Sequence, residues 1–287
     1  MNERVGAAPG TALHDYVRVE LESAITRLGW GGGRLHAGVH LARKALRRAR
    51  ATVALGAGAL GPGAALLDRE LRRINDGLSS LRDAQALVET LDRQLAVGHD
   101  DETMRLLRRV RRVAASVRVA AAREVQTCDP GLVGRRAMLR VLCAAMAALP
   151  WASLSPSQLR DRLADNQARM DQAQVRAIAS GRDEDWHRWR KRARRLSQQR
   201  RALKTSGLDA DLPLDKLAFD KRTTELLGTA QDLSLLLEHC GRRSVFVKPD
   251  RNALRRFAAP ELARLRQRIT RAARRSQADQ APALRHV

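Results

Sequence analysis

Two short stretches carry the side chains able to do chemistry. In Val39–Arg50, VHLARKALRRAR, a helix turned at about 100° per residue puts His40, Arg43, Lys44, Arg47, Arg48 and Arg50 on one side. Val39, Leu41, Ala42, Ala45, Leu46, Ala49 and Val53 fall on the other. The chemistry is anion binding. A guanidinium fork takes two phosphate oxygens at once, an ammonium adds a point charge, and an imidazole donates a hydrogen bond or, once protonated, a further charge. The pattern returns 147 positions later in HRWRKRARR, where His187, Arg190, Lys191, Arg194 and Arg195 match His40, Arg43, Lys44, Arg47 and Arg48. For one basic run, a solvated face in an arginine-rich chain is the plainer reading. Two runs in register, each headed by histidine, argue for a site.

Other chemistry fits less well. A metal reading of His40 and His187 needs further His, Asp or Glu at ligand spacing, and the neighbouring positions hold Arg and Lys, which repel a cation. No metal site and no cofactor is expected. A second matching pair lies downstream of each cassette, LSSLRDAQALVETL around Arg82 and Asp83 and LLGTAQDLSLLLEH around Asp232, at an offset of 149. Asp83 and Asp232 could be paired catalytic carboxylates. The reading preferred is that each accepts hydrogen bonds from the basic helix beside it and steadies its long side chains. Trp186 and Trp189 flank His187, and at helical spacing Trp189 belongs to the apolar back. The remaining histidines, His14, His36, His99, His239 and His286, fit no pattern.

The elements that must hold these residues are helices. Apolar spacing predicts helices over about Leu13–Leu28, the first cassette, Ala64–Ala96 with Gly77 as a kink or close contact, and Glu102–Val125. In the second half it predicts Leu132–Leu149, a helix capped by Ser155 and opened by Pro156 that runs to Ala179, the second cassette at Asp183–Lys204, Leu212–Cys240 and Arg251–Ser276. Gly29–Gly33 lacks a preceding strand and a G-K-[ST] ending, so it reads as a turn and not a phosphate cradle. Strand signals are nearly absent. Two motifs recurring in the same order at nearly equal offsets argue for duplication of a whole unit. The expectation is an all-α fold of two pseudo-symmetric antiparallel four-helix bundles, residues 11–128 and 131–276, with disordered ends at 1–10 and 277–287.

Composition narrows the partner. Lys+Arg total 54 against 31 Asp+Glu in 287 residues, a net charge of +23, which points to a polyanion without naming it. Only six of the basic residues are lysine. Arginine forks suit phosphate, and a GC-rich coding bias explains the preference equally well. Cys128, Cys143 and Cys240 form no C-x-x-C pair, which fits a reduced intracellular protein. Met1–Gly10 has no signal-like apolar core, and Ala137–Leu154 is interrupted by Arg140 and Pro150, so neither secretion nor a membrane span is supported.

Together these motifs make the chain resemble the CHAD family, the conserved-histidine α-helical domains, from about Leu13 to Ser276. The first family signature is met by Val39, His40, Arg43, Lys44, Arg47 and Arg50, its L-R-D companion by Leu81, Arg82 and Asp83, and the second-half signature by His187, Arg190, Lys191 and Arg194. The chain departs from the family only in its second half. Ser197 and Gln198 stand where many members have Arg-Tyr, and Gln231, Asp232 and Leu233 where many have His-Asp-Leu. The resemblance implies a pseudo-twofold pair of four-helix bundles. It also implies binding of inorganic polyphosphate without catalysis, and a cytoplasmic protein associated with polyphosphate granules, where a granule-associated protein partner is allowed. The implied binding residues are His40, Arg43, Lys44, Arg47, Arg50, Arg82, His187, Arg190, Lys191 and Arg194, with no catalytic residue.

Polyphosphate has no bases to stack, and four Trp, three Phe and one Tyr leave little for an aromatic platform. The alternative is a basic helical protein that takes nucleic acid as a non-specific polyanion, although no recognition-helix, RNA-recognition or zinc-finger pattern is present. A phosphohydrolase would need acidic metal-binding clusters such as E-x-E-x-K, or a P-loop, and the chain has neither.

Overall fold

A computed structural model of the chain describes residues 8–208, 221–241 and 244–280. The described residues contain no strand, and the protein is all-α. Ten helices follow one another among them: α1 (Pro9–Leu28), α2 (Leu35–Val53), α3 (Gly61–Asp76), α4 (Ser79–Val97), α5 (Asp101–Cys128), α6 (Val133–Ala147), α7 (Pro156–Ser180), α8 (Asp183–Thr205), α9 (Lys221–Glu238) and α10 (Lys248–Gln280). Helix therefore covers Pro9, Gly10 and residues 277–280 of the expected disordered ends. Residues 1–7 and 281–287, and the predicted start of a helix at Leu212, lie outside the described residues.

One expected helix is two. The stretch Ala64–Ala96 breaks after Asp76, where the Gly77 N–H closes α3 on the Arg73 carbonyl and the Ser79 hydroxyl bonds the Asp76 carbonyl. Buried Leu71, Ile74, Leu78 and Leu81 keep helical spacing straight across the break, so the apolar pattern continues where the hydrogen-bond ladder does not. The Ser155 cap is present in reciprocal form. Its hydroxyl accepts the Gln158 N–H, and the Gln158 side chain accepts the Ser155 N–H.

The chain folds into two compact units. Unit 1 takes residues 8–82, 124–173 and 191–208 of the described chain, and unit 2 takes 83–123, 174–190 and the described residues from 221. These units divide the chain differently from the halves on either side of Cys128, since each draws on both halves. Helices α4, α5, α7 and α8 each give one part to each unit.

In unit 1, α1 packs on α2 and α6, and α3 packs on α2 and α6, so four helices close a ring. Leu13, Tyr16, Val17, Leu21, Ala24 and Leu28 of α1 meet Val39, Ala42, Leu46 and Ala49 of α2 in its core; each fully buried large aliphatic side chain contributes roughly 1.5–3 kcal/mol. Helices α1 and α2 come close at Gly38, where an added Cβ would lie 2.3 Å from the Arg27 carbonyl oxygen. The later part of α8 lies along this ring through buried Ala193, Leu196, Ala202 and Leu203.

In unit 2, ion pairs stitch neighbouring helices into a second ring. Arg111 of α5 holds Asp92 of α4 at 2.9 Å, Arg109 of α5 holds Asp250 of α10 at 3.1 Å, and Arg93 of α4 holds Asp232 of α9 at 2.7 Å. Packing of α9 on α10 closes it. The first turns of α8 add buried Trp186 and Trp189, whose rings are 5.3 Å apart.

Candidate anion-binding site

The α2 cassette folds as its pattern dictates. Val39, Ala42, Ala45, Leu46, Ala49 and Val53 are buried, His40, Arg43, Arg47, Arg48 and Arg50 are half-buried, and Lys44 is exposed. Carboxylates on the two flanking helices clamp its edges. On the α1 side, buried Glu20 accepts from Arg48 at 3.1 Å. On the α3 side, Asp68 accepts a fork from Arg50, with 2.8 Å to Nε and 3.3 Å to Nη2. Arg43 donates to the Asn75 carbonyl in the last turn of α3, which also accepts the Leu78 N–H.

Between these edges the field is strongly positive. Lys44 makes no hydrogen bond or ion pair among the described residues. Burial of its stem lowers its pKa below the usual lysine value, and the cations of Arg48, Arg201 and Arg47 lower it further, against the opposing pull of Glu20. Tyr16, buried near Glu20, is pushed up to about 12, first by burial and then by the Glu20 charge. A surface that penalises its own cations in this way gains when an anion arrives.

The second cassette is shared between the units. His187 and Arg190 belong to unit 2, while Lys191 and Arg194 belong to unit 1, along with His40, Arg43, Lys44, Arg47, Arg50 and Arg82. His187 Nδ1 lies 2.6 Å from Gln231 Oε1, so the tautomer with hydrogen on Nδ1 donates to the amide. The residue that stands in place of a family histidine thus touches the cassette histidine. Arg190 lines a shallow recess with Asp183, Trp186, Gln231, Ser234 and Arg266.

Two further acids, which the motifs do not name, steady the α2 cassette. Glu20 holds Arg48 and Asp68 holds Arg50, while Asp232 accepts from Arg93 of α4 and Asp83 lies at the surface. Glu20 had a readable signal, a carboxylate inside the apolar stripe of α1. Asp68 had none, because its role depends on which helix packs beside α2. Arg201, Arg192 and Arg195 reach the first cassette only through the return of α8 to unit 1, a pairing that spacing along the chain does not encode.

Among the described residues, no group of three His, Cys, Asp or Glu side chains is placed to hold a metal ion, and no helix is long and apolar enough to cross a membrane. Cys128, Cys143 and Cys240 are free thiols.

The chain is an all-α protein that presents a clamped cationic helix face. The family description of the CHAD domain matches residues 26–241, most of the chain, and the protein belongs to the CHAD domain family. Comparison with curated proteins and with solved structures gave no match.

Proposed function

We propose that the protein binds inorganic polyphosphate, without catalysing a reaction, through its basic helix faces, and that it does so in the cytoplasm on polyphosphate granules. One observation carries this reading: on α2 the carboxylates sit at the edges, on Arg48 and Arg50, and leave exposed Lys44 in a field of cations between them. Membership of the CHAD family supports the choice of polyphosphate. The two registered cassettes further support descent from a duplicated unit with pseudo-twofold related halves.

A flexible phosphate chain asks for charge and forked donors at fixed positions and for no base readout, which matches what α2 offers. Binding releases counterions, so the logarithm of the affinity falls linearly with the logarithm of salt, by about 0.7 per neutralised phosphate for a single-stranded polyanion. The test is competition. Labelled polyphosphate bound to the protein is displaced by unlabelled short polyphosphate and resists single-stranded DNA at equal phosphate concentration. Equal displacement by DNA would turn the reading to nucleic acid, and shortening of the polymer with magnesium present would turn it to an enzyme.

A further inference from the structure

A corner of unit 1 brings Arg50 and Arg195, one from each cassette, together with Arg72 and Arg192. Arg195 is half-buried on α8, one turn before Gln199, whose side-chain amide donates to the Ala51 carbonyl at 3.1 Å. That bond sets α8 against the last turn of α2, next to Arg50. Arg192 lies one turn earlier on the same face of α8. On α3, Arg72 follows Asp68 by one turn. The charges of Arg50, Arg72 and Arg192 all act on Arg195, and Asp68 is the carboxylate that offsets them. Burial is the largest influence on the Arg195 guanidinium and disfavours its charge. Yet a guanidinium does not give up its proton in a protein, so neutralisation cannot relieve that cost. Arg72, Arg192 and Arg195 make no hydrogen bond or ion pair among the described residues, and Asp68 spends its fork on Arg50.

We propose that Arg195, with Arg50, Arg72 and Arg192, forms a phosphoryl-binding subsite in unit 1, and that Asp68 is its built-in competing anion. This rests on the polyphosphate reading and extends the site past the family signature, which includes Arg50 alone of these residues. A phosphoryl group of the chain supplies the acceptors that Arg72, Arg192 and Arg195 lack, and Asp68 holds Arg50 in place in its absence. Asp68 sets the affinity by competing for the same donors.

The experiment measures binding of polyphosphate, orthophosphate and single-stranded DNA to wild type, Arg195→Gln, Asp68→Asn and Lys44→Glu/Arg47→Glu. Arg195→Gln should weaken polyphosphate binding about tenfold or more, the worth of a charge-assisted contact. Asp68→Asn should tighten it about fivefold. Thermal melts with and without phosphate guard against a folding defect, since phosphate should raise the Tm of Asp68→Asn more than that of wild type and leave Arg195→Gln least changed. Unchanged affinity in Arg195→Gln, or weakened affinity in folded Asp68→Asn, overturns the subsite. If Lys44→Glu/Arg47→Glu abolishes binding while both corner variants bind like wild type, polyphosphate binding stands and only the subsite falls. If wild type fails to bind polyphosphate, the functional reading falls first. Orthophosphate that binds through Arg195 and is not displaced by polyphosphate would make free phosphate the occupant, and equal dependence on Arg195 for DNA would make it a nucleic acid; either outcome overturns the assignment to the polymer.

Discussion

Gln199 of α8 donates its side-chain amide to the main-chain carbonyl of Ala51 in the last turn of α2, at 3.1 Å and away from solvent. Carbonyls at a helix C-terminus lack an intrahelical partner, and this one is supplied by the helix that carries the second cassette. The amide is held in turn by Asn166 of α7, whose nitrogen donates to Gln199 Oε1 at 3.2 Å.

Replacing Gln199 with Leu keeps the volume and removes the donor, leaving the Ala51 carbonyl buried and unsatisfied. We expect a loss of about 1–3 kcal/mol in urea unfolding, accompanied by weaker polyphosphate binding because Arg195 loses its register beside Arg50. A variant that unfolds at the wild-type urea midpoint would show that the bond does not hold the two helices together.

Reversing Lys44 and Arg47 to Glu should weaken polyphosphate binding far more than reversing Arg271 and Arg274, two exposed cations of α10 outside the cassettes. The loss should come with a shallower salt dependence, by about 0.7 for each phosphate contact removed. Titration at several salt concentrations decides it. Equal losses from the two pairs would mean that only bulk charge matters.

Glu20 ties Arg48 of α2 to α1 beside Tyr16, and its side chain is 11% exposed against 16% for Arg48. Glu20→Gln leaves a mostly buried guanidinium without its carboxylate, which costs about 3 kcal/mol in unfolding free energy. Tyr16 is the chain's one tyrosine, so its ionisation is directly readable by ultraviolet absorbance. In Glu20→Gln its pKa should move down from about 12, though only part of the way to the ordinary value, since burial is the larger cause. A Tyr16 titration unmoved by the substitution would remove Glu20 from its surroundings.

Two groups in unit 2 should give stability two separate steps with pH. The Ser180 hydroxyl, and then the Arg176 and Arg188 charges, hold the buried Asp185 carboxyl below the usual range. Its contribution is complete above the ordinary aspartate value of about 3.9 and is lost as pH falls through the lower folded value, because the unfolded chain takes up the proton first. Burial holds His239 below the usual histidine value, against the pull of Asp83 and Glu238. Its step has the same sign and starts near 6.5, the unfolded value. Urea midpoints measured over the acidic range should show both steps in wild type. The upper step should shrink in His239→Gln and the lower in Asp185→Asn, where Asp100 and Asp129, also held below the usual range, leave a remainder. Either step keeping its full size after its own substitution would contradict the assignment.

Much of the helical plan was legible in the sequence because amphipathic spacing is a local property. The cassette of α2, the Ser155 cap and the course of α5, α6, α7 and α8 all follow from it. Gly77 was readable as a kink or close contact, but not as the full break that it makes, since Leu71, Ile74, Leu78 and Leu81 continue the stripe across it. The front of α2 was legible residue by residue, but its clamps were not. Asp68 is an ordinary acid in a charged helix until α3 lies beside Arg50, and Arg195 joins that corner only because Gln199 reaches Ala51. Such neighbours are set by tertiary packing, which one sequence does not display.

The interleaving of the chain between its two units governs the order in which it can be made. The ring of unit 1 is complete once α6 has been synthesised, but the helix bearing Arg195 and Gln199 arrives much later. Unit 2 cannot close until α9 and α10 emerge. A nascent chain halted after Cys128 therefore holds incomplete parts of both units and a whole copy of neither. The Arg195 corner forms only after α8 has been made, well after the α2 face that it adjoins, so the two parts of the binding surface are built at different times.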